Sequence, residues 1–140
     1  MKSKLIIFLI IIFLILNGFL IFYLINDFLI LDKEEIYAEV IVSDKLGIAI
    51  NDSCLIFGSV IPGGTSSTKK IILKNNYLEN IKVKIISNGE INDFLKVSEN
   101  NFILKPNENK TLEFVIRMPL NISKGNYNGS VFILTKRFIF

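Results

Sequence analysis

The sequence predicts an all-β fold: one sandwich of about seven strands, preceded by a single N-terminal transmembrane helix. Three observations support this prediction. About thirty N-terminal residues are almost continuously apolar, the rest of the chain alternates between apolar and polar residues, and Pro, Gly or Asn interrupts the alternation at intervals of about 8 to 14 residues. Beyond residue 32 no segment shows a helical period, so we expect only strands there.

The N-terminal segment has the length and composition of a membrane span. Of the 21 residues from Leu5 to Ile25, only Asn17 and Gly18 are neither apolar nor aromatic. A helix of that length spans roughly 31 Å, about one hydrocarbon core. The apolar stretch continues to Leu31 without the small residues of a cleavage site, which favours an uncleaved anchor over residues 5–31. Asn17 and Gly18 either promote helix association or are simply tolerated.

The charges that flank this segment predict its orientation. Lys2 and Lys4 precede it, whereas Lys33 is the only basic residue close behind it, among several acidic ones. Basic residues near a span favour the cytoplasmic side. We therefore expect residues 1–4 in the cytoplasm, a single pass through the cell membrane, and one extracytoplasmic domain over residues 32–140.

Eight short runs in the second part of the chain read as strands. Each alternates or is densely apolar, and each ends at turn residues such as Pro62–Gly64 or the segment 105–109. In chain order the predicted strands are Ile36–Val42, Leu55–Val60, Thr68–Lys74, Ile81–Ile85, Phe94–Val97, Phe102–Leu104, Leu112–Met118 and Tyr127–Thr135.

The order of these signals resembles a known type of domain. The carrying residues are Leu55, Phe57, Gly58, Val60, Pro62 and Gly63, then Asn75, then Leu104, Pro106 and Glu108, and finally Pro119, Gly125, Tyr127 and Gly129. Over about residues 53–135 the chain is similar to the immunoglobulin-like sandwiches of the major-sperm-protein and ASH type, as found in prokaryotic membrane-anchored surface proteins. The resemblance implies a domain that binds other proteins or serves as a spacer, and it implies no chemistry.

The last strand leaves one question open. Such sandwiches normally have one more strand after the position of Thr135, but only five residues follow it here. Either the early strand Ile36–Val42 covers that edge, or the edge is open to a strand of a partner. In the first case Phe132, Leu134, Phe138 and Phe140 are expected to be sheet-packing residues and not a docking site. If several of them are exposed together, they form a partner surface.

Composition excludes several classes of function. The net charge is +3 with both signs interspersed, which gives no support to nucleic-acid binding. The chain has no histidine, and no acidic pair or glycine-rich phosphate loop stands out, so we predict no enzyme, cofactor, metal or small-molecule substrate. The single cysteine, Cys54, cannot form an intramolecular disulfide, and we expect it to be buried in a strand.

N-glycosylation sequons occur at four positions. Asn51, Asn109 and Asn121 fall in or near predicted turns, where acceptor sites are accessible, whereas Asn128 begins a predicted strand. An extracytoplasmic location would make such sites usable.

The sequence therefore predicts a membrane-anchored, non-catalytic domain that mediates protein–protein interaction at the cell envelope. The alternative is a structural subunit of a surface filament or surface layer that assembles with itself through strand-edge pairing. A pilus-type assembly chaperone is a third and weaker hypothesis, because such chaperones generally have two sandwich domains.

Overall fold

The structure is a computed structural model that describes residues 2–43, 54–64 and 66–138. Its elements are, in chain order, helix α1 (Lys2–Phe28) and strands β1 (Ile30–Val42), β2 (Leu55–Val60), β3 (Ser67–Lys74), β4 (Ile81–Gly89), β5 (Leu95–Val97), β6 (Phe102–Leu104), β7 (Asn109–Ile116) and β8 (Gly125–Arg137). The chain is thus mostly β, with one N-terminal apolar helix and no other helix among the described residues.

Helix α1 is long and apolar enough to cross a membrane. The window Ile6–Ile25 has a mean hydropathy of 2.9, and none of it is buried against the rest of the protein. The Asn17 side chain donates a hydrogen bond of 2.8 Å to the carbonyl oxygen of Phe13, one turn earlier. The backbone of the helix therefore satisfies part of the hydrogen-bonding capacity of the Asn17 side chain.

The helix is shorter at its C-terminal end than the predicted segment 5–31. It ends at Phe28, a single residue follows, and strand β1 begins at Ile30, six residues before the predicted strand. The cause is pairing with the last strand: the backbone N–H of Arg137 donates to the carbonyl oxygen of Leu29 at 2.8 Å, and Ile30 lies opposite Lys136. Ladder hydrogen bonds with β8 therefore override the helical tendency of this apolar stretch.

The strands form two sheets. The larger sheet has five strands in the order β2-β1-β8-β4-β6, and the smaller one has three in the order β3-β7-β5. The pair β1–β2 is parallel and every other pair is antiparallel. The described residues thus contain eight strands, and each of the eight predicted runs overlaps one of them.

Strand β8 lies in the centre of the larger sheet. It pairs with β1 along its whole length, from Ile30 opposite Lys136 to Val42 opposite Gly125, and with β4 on its other side. The early strand therefore covers the edge that the sequence left open to two interpretations, and β8 offers no free edge to a partner.

The hydrophobic core fills the space between the two sheets. The alternating residues of each strand supply it, as a half-buried sheet requires. In the middle strand of the smaller sheet, Leu112, Phe114 and Ile116 are fully buried. The other buried apolar residues are Ile36, Ala38, Val40, Val42, Leu55, Phe57, Val60, Ile81, Val83, Ile85, Ile91, Phe102, Leu104, Met118, Val131 and Ile133.

The close approach of two core strands depends on residue size. Gly129 lies opposite Gly89, and a Cβ atom on Gly129 would overlap the backbone carbonyl of Asn88 and sit 2.8 Å from Ile91. A glycine is therefore required for the close approach of β4 and β8.

The prediction that Cys54 is buried in a strand is wrong, because this residue directly precedes β2 and is only half-buried.

Candidate partner-binding surface

The side of the five-stranded sheet that faces away from the smaller sheet, here called the outer face, carries the second set of alternating residues. Cross-strand register arranges them in rows. Phe132 of β8 lies between Glu35 of β1 and Ile86 of β4. In the next row toward the helix, Leu134 lies between Lys33 and Lys84.

This outer face carries several large apolar side chains among its polar ones. Phe132 and Leu134 are half-buried, while Ile86 keeps 39% of its surface exposed. Three more large side chains with exposures of 43–45% lie on the same face: Tyr37 in the row next to Phe132, and Ile103 and Ile41 farther away, beyond polar residues. A cluster of exposed apolar and aromatic side chains on one face is typical of a protein-interaction site.

Charged groups surround this apolar centre. The ammonium of Lys33 lies 4.7 Å from the centroid of the Phe132 ring, a cation–π contact. Glu39 accepts hydrogen bonds from the Tyr37 hydroxyl at 3.2 Å and from the Asn126 side-chain amide at 2.6 Å. Desolvation raises the pKa of the Tyr37 phenol, and the Glu39 carboxylate raises it further.

The structure brings two of the four predicted partner-surface residues together. Phe132 and Leu134 share the outer face, two positions apart on β8. Phe138 directly follows β8 and keeps 36% of its surface exposed, whereas Phe140 lies outside the described residues.

Sequence reasoning missed the residues that other strands contribute to this face. The signal was present in β4, where the polar face reads Lys82, Lys84 and then Ile86. An apolar residue at a polar position of an alternating strand marks an exposed apolar site, but only the sheet order shows that Ile86 adjoins Phe132.

The glycosylation sequons have different settings. Asn109 is exposed at the first position of β7, and Asn121 is exposed in the connection between β7 and β8. Asn128 is exposed as well, although it lies inside β8 on the outer face, opposite Glu39. Asn51 lies outside the described residues. The described sequons are therefore accessible in the folded domain.

The end of the sandwich next to the helix contains a loop, residues 76–80, that follows β3 and is held by Asn75. The Asn75 side-chain amide donates to the carbonyl oxygens of Glu79 at 2.9 Å and Leu104 at 3.1 Å, and its oxygen accepts from the N–H of Tyr77 at 2.9 Å. Its own carbonyl accepts from the N–H of Asn107 at 2.9 Å. Through its side chain and its backbone carbonyl, the buried Asn75 thus connects this loop to the neighbouring turn.

A cleft of about 390 Å³ opens between the two sheets beside this loop. Its floor is apolar, formed by Ile81, Val83, Leu104 and Ile133 among others. Charged residues of both signs, Asp32, Glu34 and Lys74, lie at its edge. Within the described part of the chain no group of three or more His, Cys, Asp or Glu side chains is arranged to hold a metal ion.

The remaining sheet edges give little room for an added strand. Strands β5 and β6 have three residues each, and the carbonyl oxygen of Phe57 in β2 already accepts a hydrogen bond of 2.7 Å from the Ser67 hydroxyl. Strand β3 is longer but carries Lys69, Lys70 and Lys74, and charged side chains on edge strands discourage edge-to-edge pairing.

Comparison with known proteins gives no relative from which a function could be transferred. No protein-family model, no curated protein and no solved structure matches this chain. The function has to be argued from the geometry of the described residues.

Proposed function

We propose that this chain is a membrane-anchored, non-catalytic domain that binds another protein of the cell envelope through the outer face of its five-stranded sheet. In this proposal α1 crosses the cell membrane with its N-terminus in the cytoplasm, and the sandwich, of the immunoglobulin-like type, lies outside. The observation that carries the proposal is the apolar centre formed by the exposed Ile86 and the half-buried Phe132 and Leu134, bordered by Lys33, Lys84 and Glu35.

The composition of this surface supports a protein partner. Apolar side chains, one of them aromatic, lie at the centre and charged ones at the border, which is the usual anatomy of a protein interface. The face is flat sheet surface and not a cleft, so it suits a macromolecule better than a small ligand.

Charge positions favour a different protein over a second copy of this chain. Two copies anchored in one membrane and related by a two-fold axis that runs along the membrane normal, parallel to β8 and directly over it, would stack their outer faces row against row. Lys33 of one copy would then face Lys84 of the other, and the carboxylate of Glu35 would face the apolar Ile86. Both juxtapositions are unfavourable, because like charges repel and an unpaired carboxylate loses its hydration.

Site-specific photo-crosslinking in native membranes tests this proposal. We expect a photoreactive amino acid at Ile86 to give a discrete cross-linked product with one other envelope protein. A photoreactive residue at Ile72, which is 70% exposed on β3 of the smaller sheet, is the matched control and should not give that product.

Two outcomes would overturn the proposal. Diffuse products of equal yield at both positions would show that the outer face has no specific partner. A ladder of products containing only this chain would instead favour the filament or surface-layer alternative.

A further inference from the structure

The loop of residues 76–80 lies directly beside the exit of helix α1. The Arg137 side chain forms an ion pair of 2.7 Å with Glu79 of this loop, while its backbone N–H bonds to Leu29 and its guanidinium lies 5.7 Å from the Phe28 ring. The N–H of Phe138 also donates to the carbonyl oxygen of Asn80 at 3.2 Å. These contacts keep the loop at the level of the residues that follow the helix.

The tip of this loop is apolar and open. Leu78 keeps 95% of its surface exposed, more than any other large apolar side chain in the described residues, and Tyr77 beside it keeps 38%. The backbone there is fixed by the hydrogen bonds of Asn75, so the two side chains are displayed by an ordered loop and not by a frayed one. Burial of a fully exposed Leu against an apolar partner is favourable.

The distance from the apolar window places this tip in the interfacial layer of a bilayer. The window ends at Ile25, and three further helical residues to Phe28 add about 4.5 Å at 1.5 Å per residue. The headgroup region of one leaflet is roughly 5–8 Å thick, by the difference between the full bilayer and its hydrocarbon core. A loop at the level of Leu29, about 6 Å beyond Ile25, therefore lies within the headgroup region, where Tyr side chains are enriched.

We infer that this loop is a second membrane contact, in which Leu78 and Tyr77 insert into the interfacial layer of the leaflet that α1 leaves. The inference rests on the proposed span of α1. The partner that covers the exposed tip is a lipid surface and not a protein. The loop is held beside the end of α1, and in the proposed span this end of the helix is surrounded by lipid. The charges near the loop are mixed, Lys74 and Lys82 against Asp32 and Glu34, so the contact is driven by apolar burial and binds neutral lipid as well as anionic lipid.

Tryptophan fluorescence in vesicles tests this inference, since the chain contains no tryptophan and any introduced one is a unique reporter. The full chain with Leu78→Trp is reconstituted into phosphatidylcholine vesicles that carry bromine, a quencher, at shallow or deep acyl positions. Leu120→Trp is the matched control, because Leu120 is 78% exposed at the opposite end of the sandwich. Phe13→Trp reports on the helix itself.

We expect the reporter at position 78 to lose emission, more with shallow than with deep bromine, while the reporter at position 120 keeps its emission in both. The reporter at position 13 should be quenched most strongly by deep bromine. Replacing half of the lipid with an anionic one should leave the pattern unchanged.

The outcomes separate the inference from the proposal on which it rests. Quenching at position 13 without quenching at position 78 overturns the loop contact and leaves the span intact. A blue-shifted but unquenched emission at position 78 also overturns it, in favour of cover by protein. The absence of quenching at position 13 overturns the span, and the loop contact with it.

Discussion

Asn75 illustrates how one polar residue decides local structure in this domain. It is the only buried polar or charged residue among the described ones. Burial of an amide is favourable only when its hydrogen bonds are made, and this side chain makes three of them, to Glu79, Leu104 and Tyr77. These hydrogen bonds hold the loop between β3 and β4 in one backbone conformation, although most of its side chains are exposed to solvent.

Replacement of this amide should destabilise the domain. In Asn75→Ala the carbonyl oxygens of Glu79 and Leu104 and the N–H of Tyr77 lose their partner, and we expect a loss of about 2–4 kcal/mol in the free energy of unfolding. Urea unfolding of the full chain in detergent, followed by circular dichroism, measures it. Asn76→Ala, an exposed neighbour, should change the free energy by less than about 0.5 kcal/mol, and an equal loss in both variants would contradict the role of Asn75.

At the scale of elements, the positions of the strands along the chain could be predicted from the sequence. Which strands lie next to each other in a sheet could not. Alternation locates strands, because it reports which side chains are buried, and all eight predicted runs overlap observed strands. The beginning of β1 was missed, since Asp32–Glu35 is polar on both faces and shows no alternation. Nothing local to this segment shows that its backbone pairs with residues more than ninety positions later.

The same limit applies to the candidate surface. Phe132 and Leu134 could be found as apolar residues of the last strand, where sequence alone also allowed them to be sheet-packing residues. Their place on an exposed face depends on β8 being central, with β1 and β4 on its two sides. Ile86 joins the surface only through its pairing with Phe132, which is a property of the sheet and not of either strand.

Strand order predicts how strongly individual amides resist hydrogen exchange. Amides of β8 are bonded on both sides of a central strand and open only with the whole domain, whereas β5 and β6 are three-residue strands at sheet edges. We expect the slowest exchange in β8 and β1 and the fastest in β5 and β6, with β3 between them. Exchange followed by mass spectrometry in detergent micelles measures this order. Protection in β3 equal to that in β8 would contradict it and indicate an occupied edge.

At the scale of the whole molecule, the helix and the sandwich form a continuous backbone path with one residue between them. Leu29 separates α1 from β1, and its carbonyl oxygen accepts a hydrogen bond from Arg137 at the end of β8. The first and last strands thus both contact the base of the helix. The two parts are coupled through hydrogen bonds and not through a flexible linker.

The proposed orientation gives a test at this scale. Because Lys2 and Lys4 favour the cytoplasmic side, we expect protease added to right-side-out membrane vesicles to remove a C-terminal epitope and spare an N-terminal one. Vesicles opened with detergent are the control, since both epitopes should then be lost. Removal of the N-terminal epitope alone from intact vesicles would contradict the orientation.

The single-residue junction at Leu29 also has a mechanical consequence. A long linker would let the sandwich turn freely about the membrane normal, but here any rotation of the sandwich has to rotate the helix with it. A protein that binds the outer face of the sheet would therefore also fix the rotation of α1 about its axis, and with it the direction in which Gly18 points within the proposed membrane span. Contact outside the membrane would then select which neighbours the helix meets inside it.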